Sequence, residues 1–387
     1  MSNAYDTTVE SLLTDETRLL RSTVREFAEK EIRPVVMKYD EAQEFPLPLF
    51  RRMGELGLLG ATIPASLGGA GLSPVESIVI MEEISRVDPS LGLTLAGHTG
   101  LCLQHLSMFV NEAQAAKYIP PLASGAVVGS WCLTEPGSGS DASGMRTVAR
   151  REGDAYIIDG TKTFITNGSH ASTFVVTAKT DPSKGRSGIS AFIVERAFGG
   201  ISIGRKENKL GMRASDTAQV IFDHVRVPAE NLLGAEGEGY RQTLAVLESG
   251  RVGIAALSVG LAQGAFEAAR AYAHQRQQFG KPIAEFQAIQ FQLAEMATEI
   301  QAARLLTLEA AQAKARGEAY GLRAAQAKLY ASEIAQRVAT AAVQIHGGYG
   351  FTKDFPVEKF YRDVKLLTIG EGTSEVQKIV IAKHLVA

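Results

Sequence analysis

The middle of this chain has a different residue pattern from both of its ends, and that change limits the fold more than any other feature. Four short runs rich in β-branched and aromatic residues occur there, at 155–158, 173–178, 189–194 and 218–222. Turn dipeptides such as Asn167-Gly168 separate them at short intervals. The gaps leave no room for a long amphipathic helix, which argues against a parallel sheet built from βαβ units. The pattern predicts a compact antiparallel barrel or sandwich.

Apolar residues at helical spacing mark both flanks. Residues 15–38 carry such a series, and Pro34 predicts a kink or an end in that helix. A second series predicts the seam of a helix bundle; its members are Phe286, Ile289, Leu293, Met296, Ile300 and Ala303. A chain of 387 residues exceeds what one core usually supports. We therefore expect an α+β multidomain protein, with an N-terminal helical domain (1–125), a middle antiparallel β domain (126–237) and a C-terminal helical bundle domain (238–387).

Charge and cysteine content exclude several classes of function. A net charge of −2 gives no electrostatic footprint for nucleic acid. Cys102 and Cys132 are too few and too far apart for a disulfide framework or a zinc site. The N-terminal segment contains acidic residues and lacks a leader-peptide pattern, and we expect no membrane-spanning run. The expected location is cytoplasmic, or organellar with a transit peptide already removed.

Two familiar motif types are excluded by their context. Gly137–Ala142 matches the letters G-x-G-x-x-A, but a turn and a strand follow where a dinucleotide-binding loop needs a helix. A loop that binds anions through its backbone and a plain β-turn both remain open for this segment. His98 and His105 are expected to be structural or solvated rather than metal ligands, and no metal site is expected.

The segment Ile369–Gln377 places Glu371 between two glycines just before a predicted helix. Ser374 is the expected N-cap, and Gln377 would complete a capping box. Glycine on both sides lets a planar partner approach the backbone. Such a carboxylate can be a general base or only a solvated side chain near a helix start, and the loop alone leaves both open.

Four other segments combine aromatic, hydroxyl, arginine and glycine residues. They are Trp131–Pro136, Lys162–Gly168, Arg276–Gly280 and Gln344–Gly350. An isoalloxazine ring and a pyrophosphate require groups of this kind. Each segment alone has an equally good structural explanation, as a core aromatic, a C-capping glycine or a surface arginine.

Together and in this order, the segments resemble the acyl-CoA dehydrogenase family, of the short/medium-chain or branched-chain type. The similar stretches are WCLTEPGSGSD, KTFITNG, RQQFGK, QIHGGYGF, PVEKFYRD and IGEGTSE, and the resemblance covers nearly the whole chain. It implies N-terminal helices, a middle β domain and a C-terminal four-helix bundle. It also implies a homotetramer with one FAD per subunit, an acyl-CoA substrate, a trans-2,3 double bond as product, and an electron-transfer flavoprotein as acceptor.

The resemblance implies a role for each matching residue. Glu371 would be the base that takes the α-proton, and its backbone N–H would help to stabilise the enolate oxygen. The residues implied in FAD binding within the subunit are Trp131, Leu133, Thr134, Gly139, Ser140, Phe164, Ile165, Thr166, Gln287, Thr373 and Glu375. Those implied to reach the FAD of a neighbouring subunit are Arg276, Gln278, Phe279, Gln344, Gly347 and Gly348. Those implied in substrate binding are Ser140, Glu248, Arg251 and Gly372, although Arg251 could instead only fix a helix start.

Two positions depart from patterns seen in parts of the family. Gly250 stands where some branched-chain and long-chain members carry the base, so Glu371 is the remaining occupant of either base position. Gly370 stands where many straight-chain members carry Tyr, which predicts tolerance of short or α-branched acyl groups. The segment Leu95–Leu103, with the small residues Ala96 and Gly97, is expected to line the far end of the acyl pocket. The alternatives are a flavin-dependent oxidase or monooxygenase on the same fold, and a non-catalytic helical binding protein.

Overall fold

The N-terminal part of the protein is helical in the computed structural model, which describes residues 11–386. The leader-peptide expectation rests partly on residues 1–10, which lie outside this range. The first helix passes through a π-helical turn and then a 3-10 turn that holds Pro34, so the predicted kink is confirmed. The helices are α1 (Asp15–Phe27), α2 (Val36–Ala42), α3 (Leu47–Glu55), α4 (Pro74–Val87), α5 (Pro89–Leu95), α6 (Gln104–Phe109) and α7 (Glu112–Ala123).

The middle part forms an eight-stranded sheet whose order is β6-β7-β3-β2-β4-β5-β8, with β1 paired to β4. Its core is built from buried aromatic and β-branched side chains, among them Phe174, Phe192 and Phe222. The strands are β1 (Gly129–Cys132), β2 (Val148–Glu152), β3 (Ala155–Thr166), β4 (Thr173–Lys179), β5 (Ile189–Glu195), β6 (Ile201–Lys206), β7 (Thr217–Pro228) and β8 (Leu232–Leu233).

Most neighbouring strands are antiparallel, so the predicted antiparallel β domain is confirmed, and two pairings within it are parallel. Strand β1 runs parallel to β4 and pairs with it. Val148, the first residue of β2, also pairs with β4 in the parallel direction, at Lys179. The β2–β3 hairpin lies between β1 and β4 in the chain, so it makes the crossover that a helix makes in a βαβ unit.

The C-terminal part is helical again and shares one hydrophobic core with the N-terminal helices. In the predicted seam, Met296, Ile300 and Ala303 are fully buried, whereas Leu293 is half-buried and the neighbouring Phe291 is exposed. The elements are α8 (Gly239–Gln275), a short hairpin of β9 (Gln277–Gln278) and β10 (Lys281–Pro282), α9 (Gln287–Ala315), α10 (Gly321–His346), α11 (Val357–Asp363) and α12 (Ser374–Val386).

Helix α8 is the one helix among residues 11–386 that is long and apolar enough to cross a membrane, judged by length and composition alone. Its length and its mean hydropathy of 1.5 over one window meet that test, and 72% of the window is buried inside the protein. The helix is apolar because it packs against α4, α9 and α10 at the centre of the bundle.

A buried ionic cluster joins the three parts of the chain. The ammonium of Lys359 donates to Asp88 at 2.8 Å and to Asp363 at 2.6 Å, and all three side chains are buried. Asp363 also accepts the backbone N–H of Met212 from the middle part. Because Asp363 ends α11, this cluster fixes the start of the segment that leads to Glu371.

Candidate active site

The loop around Glu371 has an unusual backbone. Glu371 and Gly372 both have positive φ, at 52° and 94°. Left-handed backbone is uncommon for a residue with a Cβ, and it persists only where the surroundings hold it. The loop connects the 3-10 turn Val364–Thr368 to α12, and it points the Glu371 side chain back towards α8.

The helix that follows starts one residue earlier than its sequence suggested. Thr373, not Ser374, is the N-cap, because its Oγ1 accepts the N–H of Val376 at 3.3 Å. The Ser374 hydroxyl instead donates to Glu333 at 2.6 Å. Gln377 forms no capping box. Its side-chain amide donates to the carbonyl oxygens of Gly372 at 2.9 Å and Glu371 at 3.3 Å, so it holds the loop rather than the helix end.

The Glu371 carboxylate packs against helix α8 at Gly250. A Cβ placed on Gly250 would lie 2.0 Å from Oε2 of Glu371 and 3.0 Å from its carboxyl carbon. Oε2 is itself buried and has no hydrogen-bond partner among the described residues. Gly250 therefore leaves the space that the carboxylate fills.

Burial raises the pKa of Glu371 from its ordinary value of 4.5 to about 7, against the opposing charges of Lys328 and Arg251. Arg251 is buried, and its Nε also lacks a hydrogen-bond partner within residues 11–386. Burial lowers the pKa of this arginine, against the opposing charges of Glu248 and Glu371. Arg251 lies well inside α8, which begins at Gly239, so the alternative role at a helix start is wrong.

Glu371 is part of the wall of a cavity between the N-terminal helices and α8. The predicted segment contributes Leu95, Ala96 and Thr99, but Gly97 faces elsewhere, since a Cβ there would meet Thr166 at 2.8 Å. The remaining wall is largely apolar with a few polar groups; it includes Leu58, Ala61, Ile78, Met81, Val252, Gln104, Ser249 and Lys314.

Lys314 is a cavity residue that the sequence analysis did not find. Its ammonium donates to Ser249 at 2.6 Å and, more weakly, to Gln104 at 3.4 Å. Burial lowers its pKa to about 8. Its position near the end of α9 carries no motif that distinguishes it from a surface lysine.

Strand β1 and the end of β3 bring together the residues expected at a flavin ring. The hydroxyl of Ser130 donates to the Thr166 carbonyl at 2.6 Å, and the N–H of Thr163 donates to the Thr134 carbonyl at 2.8 Å. Phe164 has a positive φ of 56° and is 64% exposed. The Ile165 side chain points into the sheet core, so only its backbone is available to a ligand.

Two buried histidines stabilise this region, and their expected structural role is confirmed. His105 accepts the indole N–H of Trp131 at 2.9 Å and bonds Gln242 at 3.0 Å. His98 accepts the N–H of Gly129 at 2.9 Å and bonds the Leu122 carbonyl. Burial lowers the pKa of each to about 4, so both are neutral near pH 7.

A buried ion pair behind β1 is a further feature that the sequence did not predict. The ammonium of Lys162 is fully buried and donates to the Leu133 carbonyl at 3.0 Å and to Glu135 at 2.9 Å. Glu135 in turn accepts the backbone N–H groups of Arg146 and Thr147. Lys162 thus links the two segments expected to face a flavin.

The glycine segment at 137–142 forms a β-turn closed by Glu135 and Ser138, followed by a 3-10 turn and β2. No helix follows, so the rejection of a dinucleotide-binding loop is confirmed. Gly139 and Ser140 are exposed. A Cβ added to Gly139 would meet no atom within 4 Å among the described residues, apart from its direct neighbours in the chain.

A second cluster lies on the surface at the end of the bundle. The hairpin after α8 carries Arg276, Gln278 and Phe279, and the end of α10 carries Gln344, Gly347 and Gly348. Phe279 is 93% exposed, and the Arg276 guanidinium lies over the ring of Tyr349, 5.6 Å from its centroid. Gln287 at the start of α9 and Glu375 on α12 are also exposed.

One group of possible metal ligands occurs within the described residues, on the outer surface of the sheet. It consists of Asp159, Asp223 and His224. Asp159 already accepts from Arg150 at 2.7 Å and from the His224 N–H at 2.8 Å. These contacts account for the cluster without an ion.

Family comparison decides the identity of the chain. The N-terminal, middle and C-terminal domain models of acyl-CoA dehydrogenase match residues 14–126, 130–225 and 237–386. This protein belongs to the acyl-CoA dehydrogenase family. It is an oxidoreductase of the CH–CH type, and its cofactor is FAD.

Individual acyl-CoA dehydrogenases resemble the chain along its length. A short-chain-specific member from Clostridium acetobutylicum is 47% identical over 96% of this chain and 98% of its own. Butyryl-CoA dehydrogenase from Megasphaera elsdenii is 41% identical, with a TM-score of 0.95 over 97% of this chain and 99% of its own. A chain in a structure described as the electron transferring flavoprotein of Acidaminococcus fermentans is 45% identical, with a TM-score of 0.95 over 97% and 98% of the two chains.

The residues of this acyl-CoA dehydrogenase fit FAD at the site formed by β1 and β3. Strand β1 and the end of β3 are joined there through the Ser130 hydroxyl and the Thr134 carbonyl, and the side chain of Phe164, which follows Thr163 in the chain, is 64% exposed. At the surface cluster, a Cβ placed on Gly280, Gly347 or Gly348 would meet no atom within 4 Å in the described part of the chain, apart from its direct neighbours, which leaves room for a ligand against the backbone. An arginine beside open glycine backbone suits a pyrophosphate.

Proposed function

We propose that this protein removes the α-proton of an acyl-CoA with Glu371 and yields the trans-2,3-enoyl-CoA. One observation carries this proposal: Oε2 of Glu371 is buried, has no hydrogen-bond partner among residues 11–386 and lies at the wall of a largely apolar cavity. A desolvated carboxylate is a stronger base than one in water, and its pKa of about 7 suits proton transfer near neutral pH.

The surroundings of Glu371 supply the other requirements of proton abstraction. Arg251 and Lys328 oppose the effect of burial and keep part of the carboxylate ionised. Within residues 11–386, the backbone N–H of Glu371 has no acceptor. We propose that it donates to the thioester oxygen, where negative charge develops as the proton leaves.

When bound, FAD would supply the oxidising chemistry, as the acceptor of the hydride that leaves the substrate β-carbon. We propose that its ring lies against Trp131, Leu133, Thr134, Phe164 and Thr166, with the backbone of Ile165. Gly139, Ser140, Gln287, Thr373 and Glu375 would make further contacts. Ser140, Glu248, Arg251 and Gly372 would contact the acyl-CoA.

We propose a homotetramer in which Arg276, Gln278, Phe279, Gln344, Gly347 and Gly348 bind the FAD of a neighbouring subunit. Their exposure in the single chain supports this, as do the exposed rings of Phe291 and Phe351. An electron-transfer flavoprotein would accept the electrons. We further propose a cytoplasmic location and domain boundaries near residues 125 and 237.

We propose short or α-branched acyl groups as substrates because of Gly370. Its φ is not positive, and a Cβ there would have only ordinary contacts, the nearest being the Leu366 carbonyl oxygen at 3.6 Å. The backbone therefore does not require glycine at this position. Gly370 directly precedes Glu371 in the chain, and we propose that its missing side chain widens the site near the substrate α-carbon.

An anaerobic titration of the purified holoenzyme tests this function. Butyryl-, isobutyryl- and octanoyl-CoA are added in turn, and loss of flavin absorbance is followed. We expect rapid bleaching by butyryl- or isobutyryl-CoA and slower bleaching by octanoyl-CoA. Strict preference for octanoyl-CoA would overturn the substrate class. Rapid reoxidation by oxygen would favour an oxidase, and a colourless protein would favour a binding protein.

A further inference from the structure

Lys328 is a buried cation beside the Glu371 loop, and no motif singled it out. It lies on α10 and is fully buried. Its Nζ donates to the carbonyl oxygen of Gly372 at 2.7 Å. Within the described part of the chain, its ammonium makes no ion pair with a carboxylate. Buried lysines are usually paired with a carboxylate, because burying an unpaired charge is costly. A buried lysine that faces only a neutral carbonyl therefore needs an explanation beyond packing.

The Gly372 carbonyl is held from two sides. It accepts from Lys328 on α10 and from Gln377 on α12, and Gln377 also contacts the Glu371 carbonyl. A Cβ on Gly372 would lie 2.7 Å from the amide nitrogen of Gln377, so this approach requires glycine. The two side chains thereby fix the carbonyls of Glu371 and Gly372, whose φ values are both positive. Fixing these peptides sets the direction of the Glu371 side chain and of its N–H.

Charge adds to this positioning. Lys328 is the larger of the two cationic influences on Glu371, ahead of Arg251 on α8. Lys328 faces Glu371, Arg251, Glu333 and Glu375, and burial lowers its own pKa to about 8. It therefore still carries a proton at neutral pH and favours the ionised form of Glu371.

We propose that Lys328 is a positioning residue for the base: it fixes the Glu371–Gly372 peptide through the Gly372 carbonyl and keeps the Glu371 carboxylate ready to accept a proton. This inference rests on the proposed function. It separates two contributions, a hydrogen bond and a charge, which different substitutions remove.

The substitutions Lys328→Gln, Lys328→Met and Lys328→Arg separate the two contributions. Gln keeps a donor without the charge, Met removes both, and Arg keeps the charge. The matched control is Lys378→Met, an exposed lysine on α12. Flavin content and circular dichroism establish that each variant is folded. Lys328→Gln and Lys328→Arg provide the answer if Lys328→Met does not fold.

The first measurement is the pH profile of anaerobic flavin reduction at saturating acyl-CoA. In Lys328→Gln and Lys328→Met, loss of the cation should move the rising part of the pH profile to higher pH by about one unit, so that the rate at pH 6 falls about tenfold. Lys328→Met also loses the hydrogen bond to the Gly372 carbonyl and should in addition reach a lower rate at high pH than Lys328→Gln. Lys328→Arg and Lys378→Met should keep the pH profile of the unmodified protein. The second measurement needs no turnover: difference infrared spectroscopy follows the carboxyl band that Glu371→Gln removes, and its midpoint should shift in the same way.

The role of Lys328 would be overturned if folded Lys328→Gln kept both the pH profile of flavin reduction and the pH midpoint of the Glu371 infrared band unchanged. The two proposals can fail separately. If Glu371→Gln leaves flavin reduction intact, the proposed function fails. If Glu371→Gln abolishes reduction but Lys328→Gln changes neither readout, only the role of Lys328 fails.

Discussion

The carboxylate of Glu371 and the Cα of Gly250 occupy adjoining space, so closely that a Cβ on Gly250 would lie 2.0 Å from Oε2. One residue lies on the loop before α12 and the other in the middle of α8. The family resemblance implies that these are two alternative positions for a base. Their contact explains why a base can stand at either position, because a side chain from either backbone enters the same space. In this chain Gly250 leaves that space to Glu371.

The substitution Gly250→Ala should slow proton abstraction without unfolding the protein. The added methyl group would displace the Glu371 carboxylate, and a misplacement near 1 Å costs about 100-fold in rate. Rapid-mixing measurements of anaerobic flavin reduction would check this, with flavin content as the measure of folding. The matched control is Ala271→Ser, which adds one heavy atom at an exposed position of the same helix, away from the cavity. Equal losses in both variants would count against the specific contact.

The pH dependence should follow the raised pKa of Glu371. Only the carboxylate accepts a proton, so the flavin-reduction rate should rise with pH around 7. Stability should change in the opposite direction. Because the pKa is higher in the folded state, the contribution of Glu371 to stability is full below pH 4.5 and is lost as pH rises through about 7. Glu371→Gln should therefore stabilise the protein more at pH 8 than at pH 5, as measured by chemical unfolding. A larger gain at pH 5 would contradict the assigned burial.

The substitution Gly370→Tyr should change which acyl groups are accepted. A ring at this position would occupy space beside Glu371, and the backbone there can accommodate a Cβ. We expect kcat/KM for isobutyryl-CoA to fall about tenfold relative to butyryl-CoA, which corresponds to about 1.4 kcal/mol. Steady-state assays with both thioesters check the ratio. An unchanged ratio would show that Gly370 does not set the shape of the site.

The substitution Lys359→Met should destabilise the whole fold. It would leave the buried carboxylates of Asp88 and Asp363 without their cation, and breaking a buried pair in this way costs about 3–5 kcal/mol. The exposed Lys353 lies 3.5 Å from Glu41, and Lys353→Met should cost less than about 1 kcal/mol. Unfolding in denaturant measures both. A loss below 1 kcal/mol in Lys359→Met would contradict the importance of the cluster.

The order of helical and β segments could be predicted because periodicity is local. The pairing of β1 with β4 could not, since it depends on a contact between Gly129 and Thr173 across an intervening hairpin. The cap of α12 is Thr373 rather than the predicted Ser374, although both residue types favour this position. Glu333, which lies far away in sequence, takes the Ser374 hydroxyl instead.

Some residues of the candidate site could be predicted from the sequence, and others could not. Glu371 and the segments 131–136 and 162–168 lie in motifs, so their roles could be predicted from the sequence. Lys162, Lys314 and Lys328 lie inside the protein, where lysine is rarely found, and no local pattern marks a lysine as buried. The space beside Gly250 likewise exists only once α8 and the loop before α12 have packed together.

The role of Glu371 is tested most directly by anaerobic flavin reduction in Glu371→Gln. The amide keeps the size of the side chain but cannot take a proton. At saturating butyryl-CoA we predict that the flavin is still bound and the thioester still binds, while the reduction rate falls by at least about 1,000-fold. A rate within tenfold of the unmodified protein would contradict the assignment of Glu371 as the base.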